Sequence, residues 1–131
     1  MLINSDVLDA LVEEARKSPR LRMNKDMRNS SADTSQRMLN ALEPGTEVPV
    51  HRHVKSTETV AVLRGSVKQS YFDEDGKLVE QIVVKATSSC PFYMVPQGMW
   101  HTTECLESGT IIFECKDGGY EPLSPEDIKV L

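Results

Sequence analysis

No stretch of this sequence is apolar for long enough to cross a membrane as a helix, which takes about 20 consecutive apolar residues. Its first residues, Met1-Leu2-Ile3-Asn4-Ser5-Asp6, have neither the basic start nor the apolar run of a secretory leader. A cytoplasmic location is therefore expected. Cysteine is scarce and odd in number: Cys90, Cys105 and Cys115 form neither a CxxC pair nor a zinc-knuckle spacing. They read as buried thiols in a reducing compartment, with Cys105 or Cys115 facing a cavity as the alternative. Aromatics make up 5% of the residues and the formal net charge is −5, which argues against a nucleic-acid surface. Repeats of solenoid period and low-complexity segments are also missing.

What is present fits one domain with a sizeable core, since the chain has 131 residues with 39% hydrophobic and 27% charged. Ser5 or Asn4 can cap a helix starting at Asp6. Val7, Leu8, Leu11, Val12 and Ala15 recur at helical spacing, and Pro19 ends the pattern. Arg16, Lys17, Arg20, Arg22, Lys25 and Arg28 cluster against one acid, Asp26, and residues 20 to 35 read as an irregular polar connection. From Gln36 onward short β-branched and apolar runs alternate with turns. The runs are Met38–Leu42, Val48–His53, Thr59–Arg64, Val67–Phe72, Leu78–Val84, Phe92–Val95, His101–Leu106 and Thr110–Cys115. Glu43-Pro44-Gly45-Thr46 reads as a type II turn and Asp73-Glu74-Asp75-Gly76 as a hairpin turn. The tail after Cys115, with Gly118, Gly119, Pro122 and Pro125, reads as a loop. This pattern predicts a β-sandwich or barrel formed by residues 31–131, with residues 1–30 as a helical appendage.

All three histidines fall in two spaced motifs. His51 and His53 are two apart on a predicted strand and so share a face. Glu58 follows a short connection, and His101 comes from a late strand. Pro96-Gln97-Gly98 before it fits a type I turn, Pro second and Gly fourth. Three imidazoles and a carboxylate form a ligand set for zinc, iron, manganese, nickel or copper rather than calcium. Four protein ligands in an octahedral field leave two positions open, as in reactive rather than closed structural sites.

These stretches resemble the two signature motifs of the cupin superfamily. Gly45, His51, His53, Glu58 and Gly65 match the first motif. Pro96, Gly98 and His101 match the second, where Cys90 stands for the usual leading Gly and Cys105 for the usual trailing Asn. The likeness extends to Ser18–Asn24, Gln36–Leu39, Ala41–Gly45, Val62–Ser66, Trp100–Thr102, Phe113–Lys116 and Gly119–Pro125, which together resemble the WbuC-type cupin metalloproteins. That family pattern carries an Asn and a His where this chain has Asp26 and Arg28. The resemblance implies a mainly β fold, a single jelly-roll barrel with an N-terminal helix. It also implies one divalent transition metal at His51, His53, Glu58 and His101, and a setting in bacterial surface-polysaccharide synthesis.

It further draws attention to Arg20 and Arg22, which fall on a family motif, and to Arg37. Guanidinium groups grip carboxylate or phosphate in a forked geometry, and structural ion pairs are the alternative. Lys55 and Tyr120 are candidates of the same kind. Tyr93 and Trp100 can stack on a sugar ring or pack in the core. Two functions are consistent with these residues. One is a metal-dependent enzyme acting on a sugar or sugar nucleotide, by isomerisation, epimerisation or, if iron-loaded, oxygen chemistry. The other is a non-catalytic module that binds a sugar or acid through the metal. A metal-free epimerase-like cupin fits less well with an intact ligand set. Glu47, Glu104, Glu114 and Tyr71 stand unranked as further acid–base groups. A homodimer is expected from the way cupin barrels pair through outer strands.

Overall fold

The computed structural model describes residues 1–131. The helix, α1, spans Ser5–Lys17. Its cap is Asn4, whose Oδ1 accepts a hydrogen bond from the Val7 N–H at 3.2 Å. Asp6 lies in its first turn and Arg16 and Lys17 in its last, each favourable to the helix dipole. Ser18, the residue before Pro19, is already extended (ψ 137°), as a following proline requires.

Ten strands follow: β1 (Arg22–Asp26), β2 (Ser35–Leu42), β3 (Val50–His51), β4 (Glu58–Arg64), β5 (Ser66–Phe72), β6 (Leu78–Lys85), β7 (Phe92–Val95), β8 (Trp100–Cys105), β9 (Thr110–Asp117) and β10 (Ile128–Lys129). They form two five-stranded sheets, ordered β1-β2-β9-β4-β7 and β10-β3-β8-β5-β6. Every pairing is antiparallel. The fold is mainly β, with one N-terminal helix on a two-sheet barrel.

Three segments differ from the sequence reading. Residues 20 to 35, expected to be irregular, contain β1, which pairs with β2 from Arg22↔Leu42 to Asp26↔Met38. Met23 is the one apolar residue in the strand, so it carries no hydrophobic alternation. The tail, expected to be a loop, contains a 3-10 turn at Pro125–Asp127 and then β10, with Ile128 opposite His51. Val48–His53 shrinks to Val50–His51, because Pro49 cannot donate to a ladder and Arg52 turns to the Asp127 carbonyl (3.0 Å).

Two apolar clusters hold the molecule together. One fills the space between the sheets and includes Leu42, Val60, Val62, Val67, Val84, Val95 and Ile112. The other joins α1 to the outside of the first sheet, through Leu11, Val12, Ala15, Leu39, Ala41 and Ile111. Between β4 and β5 the chain reverses at Gly65 (φ 72°), where a Cβ would collide with the Thr110 side chain. Cys105 is buried, its thiol within reach of the carbonyls of Leu42 and Glu107 (3.3 and 3.1 Å), whereas Cys90 and Cys115, also expected to be buried, are only partly so.

Candidate metal centre

β3 and β8 lie side by side with His51 directly opposite His101. The same local device sets both rings. Nδ1 of His51 faces the Pro49 carbonyl at 2.8 Å, and Nδ1 of His101 faces the Met99 carbonyl at 2.9 Å. A carbonyl only accepts, so each Nδ1 carries a proton, and in the neutral form of either ring Nε2 is then the atom with the free lone pair. The two ring centroids are 4.3 Å apart, and His53 lies 5.0 Å from His51 and 5.6 Å from His101. Glu58, 4% exposed at the start of β4, brings Oε1 to 2.8 Å from His53 Nε2 and 3.3 Å from His101 Nε2.

The turn before β8 is shifted by one residue from the expected one. Met99 N–H donates to the Pro96 carbonyl at 3.0 Å, and Gly98 occupies the third position with φ 80°. This places the Gly98 N–H on the His53 carbonyl (2.8 Å) and the Gln97 amide on the Val54 carbonyl (2.6 Å). Two segments far apart in sequence are thereby stitched together at the ligand cluster.

The donor set passes a test of fit for a transition ion. All four ligand atoms lie within 4.8 Å of one another, close to the span of about 4 Å between two donors on opposite sides of one ion. His53 Nε2 is buried and makes no hydrogen bond, although Glu58 Oε1 lies 2.8 Å from it. A buried lone pair without a donor is costly unless a cation takes it. Burial first, and the neighbouring His101 second, pull His51 down to about 4, so its imidazole is neutral at neutral pH. Burial alone would raise Glu58, but His101, His53 and Lys116 outweigh it and hold the carboxyl below its ordinary range. Neutral imidazoles and an ionised carboxylate are the forms that ligate metal.

The cluster sits on the wall of an open cavity of about 480 Å³. Strand alternation makes this wall: Gln36, Met38 and Asn40 of β2 and Ile112, Glu114 and Lys116 of β9 all face it. A smaller hollow of about 240 Å³ adjoins it and shares Asn24, Gln36, Met38, Glu114, Lys116 and Tyr120. Arg20, Arg22, Lys55, Tyr93 and Tyr120 line the main cavity. Lys55 is paired with Glu121 at 3.1 Å in a largely exposed contact. Tyr93 is packed deep, its hydroxyl sharing a hydrogen bond with Thr103 (3.3 Å), and burial raises its pKa. The Arg28 guanidinium lies 5.7 Å over the Tyr120 ring.

Two candidates are not brought to the metal cluster. Arg37 reaches only the smaller hollow, with Nη2 held by Asp33 (2.9 Å) and the Met27 carbonyl (3.1 Å). Trp100 is absent from both linings. It is the immediate neighbour of His101 on β8 and so faces the other way. There it stacks under Arg52 (4.6 Å) and Lys129 (4.5 Å), and its Nε1 donates to Glu74 (3.2 Å). None of the cysteines lines the cavity.

Of the unranked acids, only Glu114 faces the cavity. Glu47 is exposed, Glu104 pairs with Lys68 at 2.7 Å, and the Tyr71 hydroxyl donates to the Met94 carbonyl at 2.6 Å. Glu114 accepts from Asn40 Nδ2 at 2.7 Å, and burial and then the Glu58 charge push its carboxyl up to about 7. Lys116, which sequence reasoning did not single out, stands directly opposite Glu58 across β4 and β9. Only the long-range strand register could have revealed it.

Fold and His–Glu cluster together define a cupin-type barrel with a constellation that could hold a metal ion. The chain belongs to the family described as "Domain of unknown function (DUF6016)", whose model matches residues 3–84. Solved cupin-fold proteins resemble it in shape. The capsular polysaccharide assembling protein CapF from Staphylococcus aureus is 18% identical, with a TM-score of 0.69, over 87% of this chain and 32% of that one. KdgF from Halomonas sp. is 13% identical, with a TM-score of 0.62, over 79% of this chain and 84% of that one. An oxalate oxidase in complex with the substrate analogue glycolate is 16% identical, with a TM-score of 0.61, over 78% of this chain and 53% of that one. Identities this low establish the fold alone. No curated protein matches the sequence.

Proposed function

We propose that this protein is a small metal-dependent enzyme of the WbuC type, acting on a sugar or sugar nucleotide in bacterial surface-polysaccharide synthesis. The observation that carries the metal assignment is the convergence of His51, His53, Glu58 and His101 with His53 Nε2 buried and unsatisfied. His51 and His101 Nε2, His53 Nε2 and a Glu58 oxygen would hold one zinc, iron, manganese or nickel ion. A bound ion of this kind supplies a Lewis acid for a carbonyl or hydroxyl oxygen. The chain's own residues would do the rest. The Pro49 and Met99 carbonyls orient the two rings. Glu114, poised near neutral pH beside the cavity, would hold or release a proton in an isomerisation or epimerisation. Its presence favours an enzyme over a non-catalytic binding module.

The polysaccharide setting draws support from the likeness in fold to CapF, a capsular polysaccharide assembling protein. A homodimer through the outer strands fits the exposed apolar residues Val79 and Val83 on β6 and Phe92 and Met94 on β7. Light scattering tests it, and a monomer at working concentration refutes it. The functional test is turnover of a nucleotide-sugar panel by protein of known metal content, with His101→Ala as control. Conversion that is lost in the control is expected. Metal-loaded protein that binds sugars but converts none would leave the binding-module reading in its place.

A further inference from the structure

We infer that the cavity selects a hydroxyl group on its ligand through the Tyr93 oxygen, which a one-way chain of hydrogen bonds from Tyr93 through Thr103 to Gln69 holds as an acceptor. This names a specificity-determining residue for the metal-centred reading above and rests on that reading for the ligand's other point of attachment.

Proton directions along the chain follow from its fixed end. The Tyr71 hydroxyl donates to the Met94 carbonyl at 2.6 Å, so the Tyr71 oxygen has only lone pairs left to offer. Gln69, two residues earlier on β5, shares that strand face. It has no exposed surface; its Oε1 accepts from the Thr103 hydroxyl at 2.5 Å, and its Nε2 makes no hydrogen bond. Burial and then Glu80 raise the Tyr71 pKa while the Gln69 amide opposes them, which sets the N–H side of the amide toward the Tyr71 oxygen. Turning the amide over would put Oε1 against an oxygen whose proton is already given away, leaving two acceptors face to face. The amide therefore keeps its orientation, and Thr103 spends its one proton on Gln69. Tyr93, whose hydroxyl is 3.3 Å from Thr103 Oγ1, must then donate in that contact. Burial raises the Tyr93 pKa, so the proton is retained. What the phenol has left is a lone pair.

Register places that lone pair beside the ligand cluster. Thr103 is two residues after His101 on the same face of β8, about 6.6 Å along the strand. Tyr93 of β7 is opposite Val60, itself two residues after Glu58 on β4. The hydroxyl pair thus lies one strand repeat from the cluster on both sheets. Tyr93 and Thr103 both line the cavity, which at about 480 Å³ takes a ligand of monosaccharide size. The Tyr93 ring belongs to the apolar core with Val60, Val95 and Ile112, so its faces are spent on packing rather than on stacking a sugar. Its tip, which meets Thr103, is the polar part at the wall. A monosaccharide held at the cluster by one pair of oxygens extends its other hydroxyls over this range. An acceptor at that point binds an O–H and disfavours a group that can only accept.

The test is calorimetric titration of D-glucose and its singly deoxyfluorinated analogues into metal-loaded wild type, Tyr93→Phe and Thr103→Val. Fluorine is close to a hydroxyl in size but cannot donate. At least one analogue should bind wild type about fivefold or more weakly than glucose, the cost of leaving the buried acceptor unpaired. Tyr93→Phe should lose that preference by binding glucose as weakly as the analogue. Thr103→Val should lose it for a different reason: with no acceptor beside it, the Tyr93 hydroxyl is free to turn and donate. Either variant suffices if the other fails to fold. Neutron diffraction from wild-type crystals in heavy water should show the Tyr93 deuteron directed at Thr103 Oγ1 and the Thr103 deuteron at Gln69. A Tyr93 deuteron directed into the cavity, no binding of glucose, no analogue discriminated, or a preference that survives in a folded variant overturns the inference. The same preference in metal-free protein, lost in the same variants, supports the Tyr93 site and overturns the metal-centred reading alone.

Discussion

Strands β2 and β9 show two unlike faces. Outward, Leu39, Ala41 and Ile111 meet Leu11, Val12 and Ala15 of the helix in a dry apolar layer. Inward, Gln36, Asn40, Glu114 and Lys116 face the cavity with amides and charges. Alternation along each strand keeps these chemistries one residue apart yet on opposite sides of the sheet. The outer layer supplies apolar burial. The inner one carries groups that are expensive to desolvate: Asn40 and Glu114 partner each other and Gln36 donates to the Gly118 carbonyl, while His53 Nε2 beside them is left without a partner. Stability and chemistry should therefore be separable by mutation.

The largest effect should come from the outer face. Ile111→Ala is expected to lower stability by about 3 to 4 kcal/mol, measured by urea melts of metal-free protein, with metal affinity unchanged. A parallel fall in metal affinity would break the separation. On the inner face, His53→Ala should weaken metal binding by about 100-fold, or roughly 2.7 kcal/mol by calorimetric titration. The metal-free melt should move by less than about 1 kcal/mol, because His53 Nε2 has no hydrogen bond to lose.

Glu43 sharpens the comparison from the helix side. It ties Arg16 of α1 (3.3 Å) to Ser108 Oγ (2.6 Å) and the Gly109 N–H (2.5 Å). Burial would raise its carboxyl, but the hydrogen bonds from Ser108, Gly109 and Arg16 outweigh it and lower the pKa from its ordinary 4.5. A depressed folded-state value means stability that is present above pH 4.5 and lost as pH falls through the folded value. Glu43→Gln should cost about 2 kcal/mol at neutral pH and flatten that part of the acid profile in urea melts. An unaltered acid profile in the variant would remove Glu43 from the account. The smallest expected effect is Asn4→Ala, about 1 kcal/mol from the lost helix cap, read by thermal melts. It too should leave metal titrations unmoved.

The grouping of His51, His53, Glu58 and His101 was legible in the sequence because local spacing encodes much of it. His51 and His53 share a strand face, and Pro96 and Gly98 announce a turn before His101. The turn's register was not legible at the same resolution: either alignment suits Pro and Gly, and only the hydrogen bond from Gly98 to His53 decides it. The strand β1 escaped because a polar edge strand with one face on a polar cavity has no apolar alternation. The two-residue β10 escaped because pairing with β3, not its own composition, makes it a strand. Lys116 and Glu114 were invisible as site residues, since their place depends on β9 lying between β2 and β4. Trp100 teaches the opposite lesson. The rule that put His51 and His53 on one face also puts Trp100 and His101 on different ones.

The most direct measurement of the central claim is anomalous diffraction from crystals of protein loaded with zinc, iron, manganese or nickel. The account predicts one strong peak bounded by the Nε2 atoms of His51, His53 and His101 and the carboxylate of Glu58. A peak at any other place, or no peak in crystals from a solution holding excess metal, would contradict it.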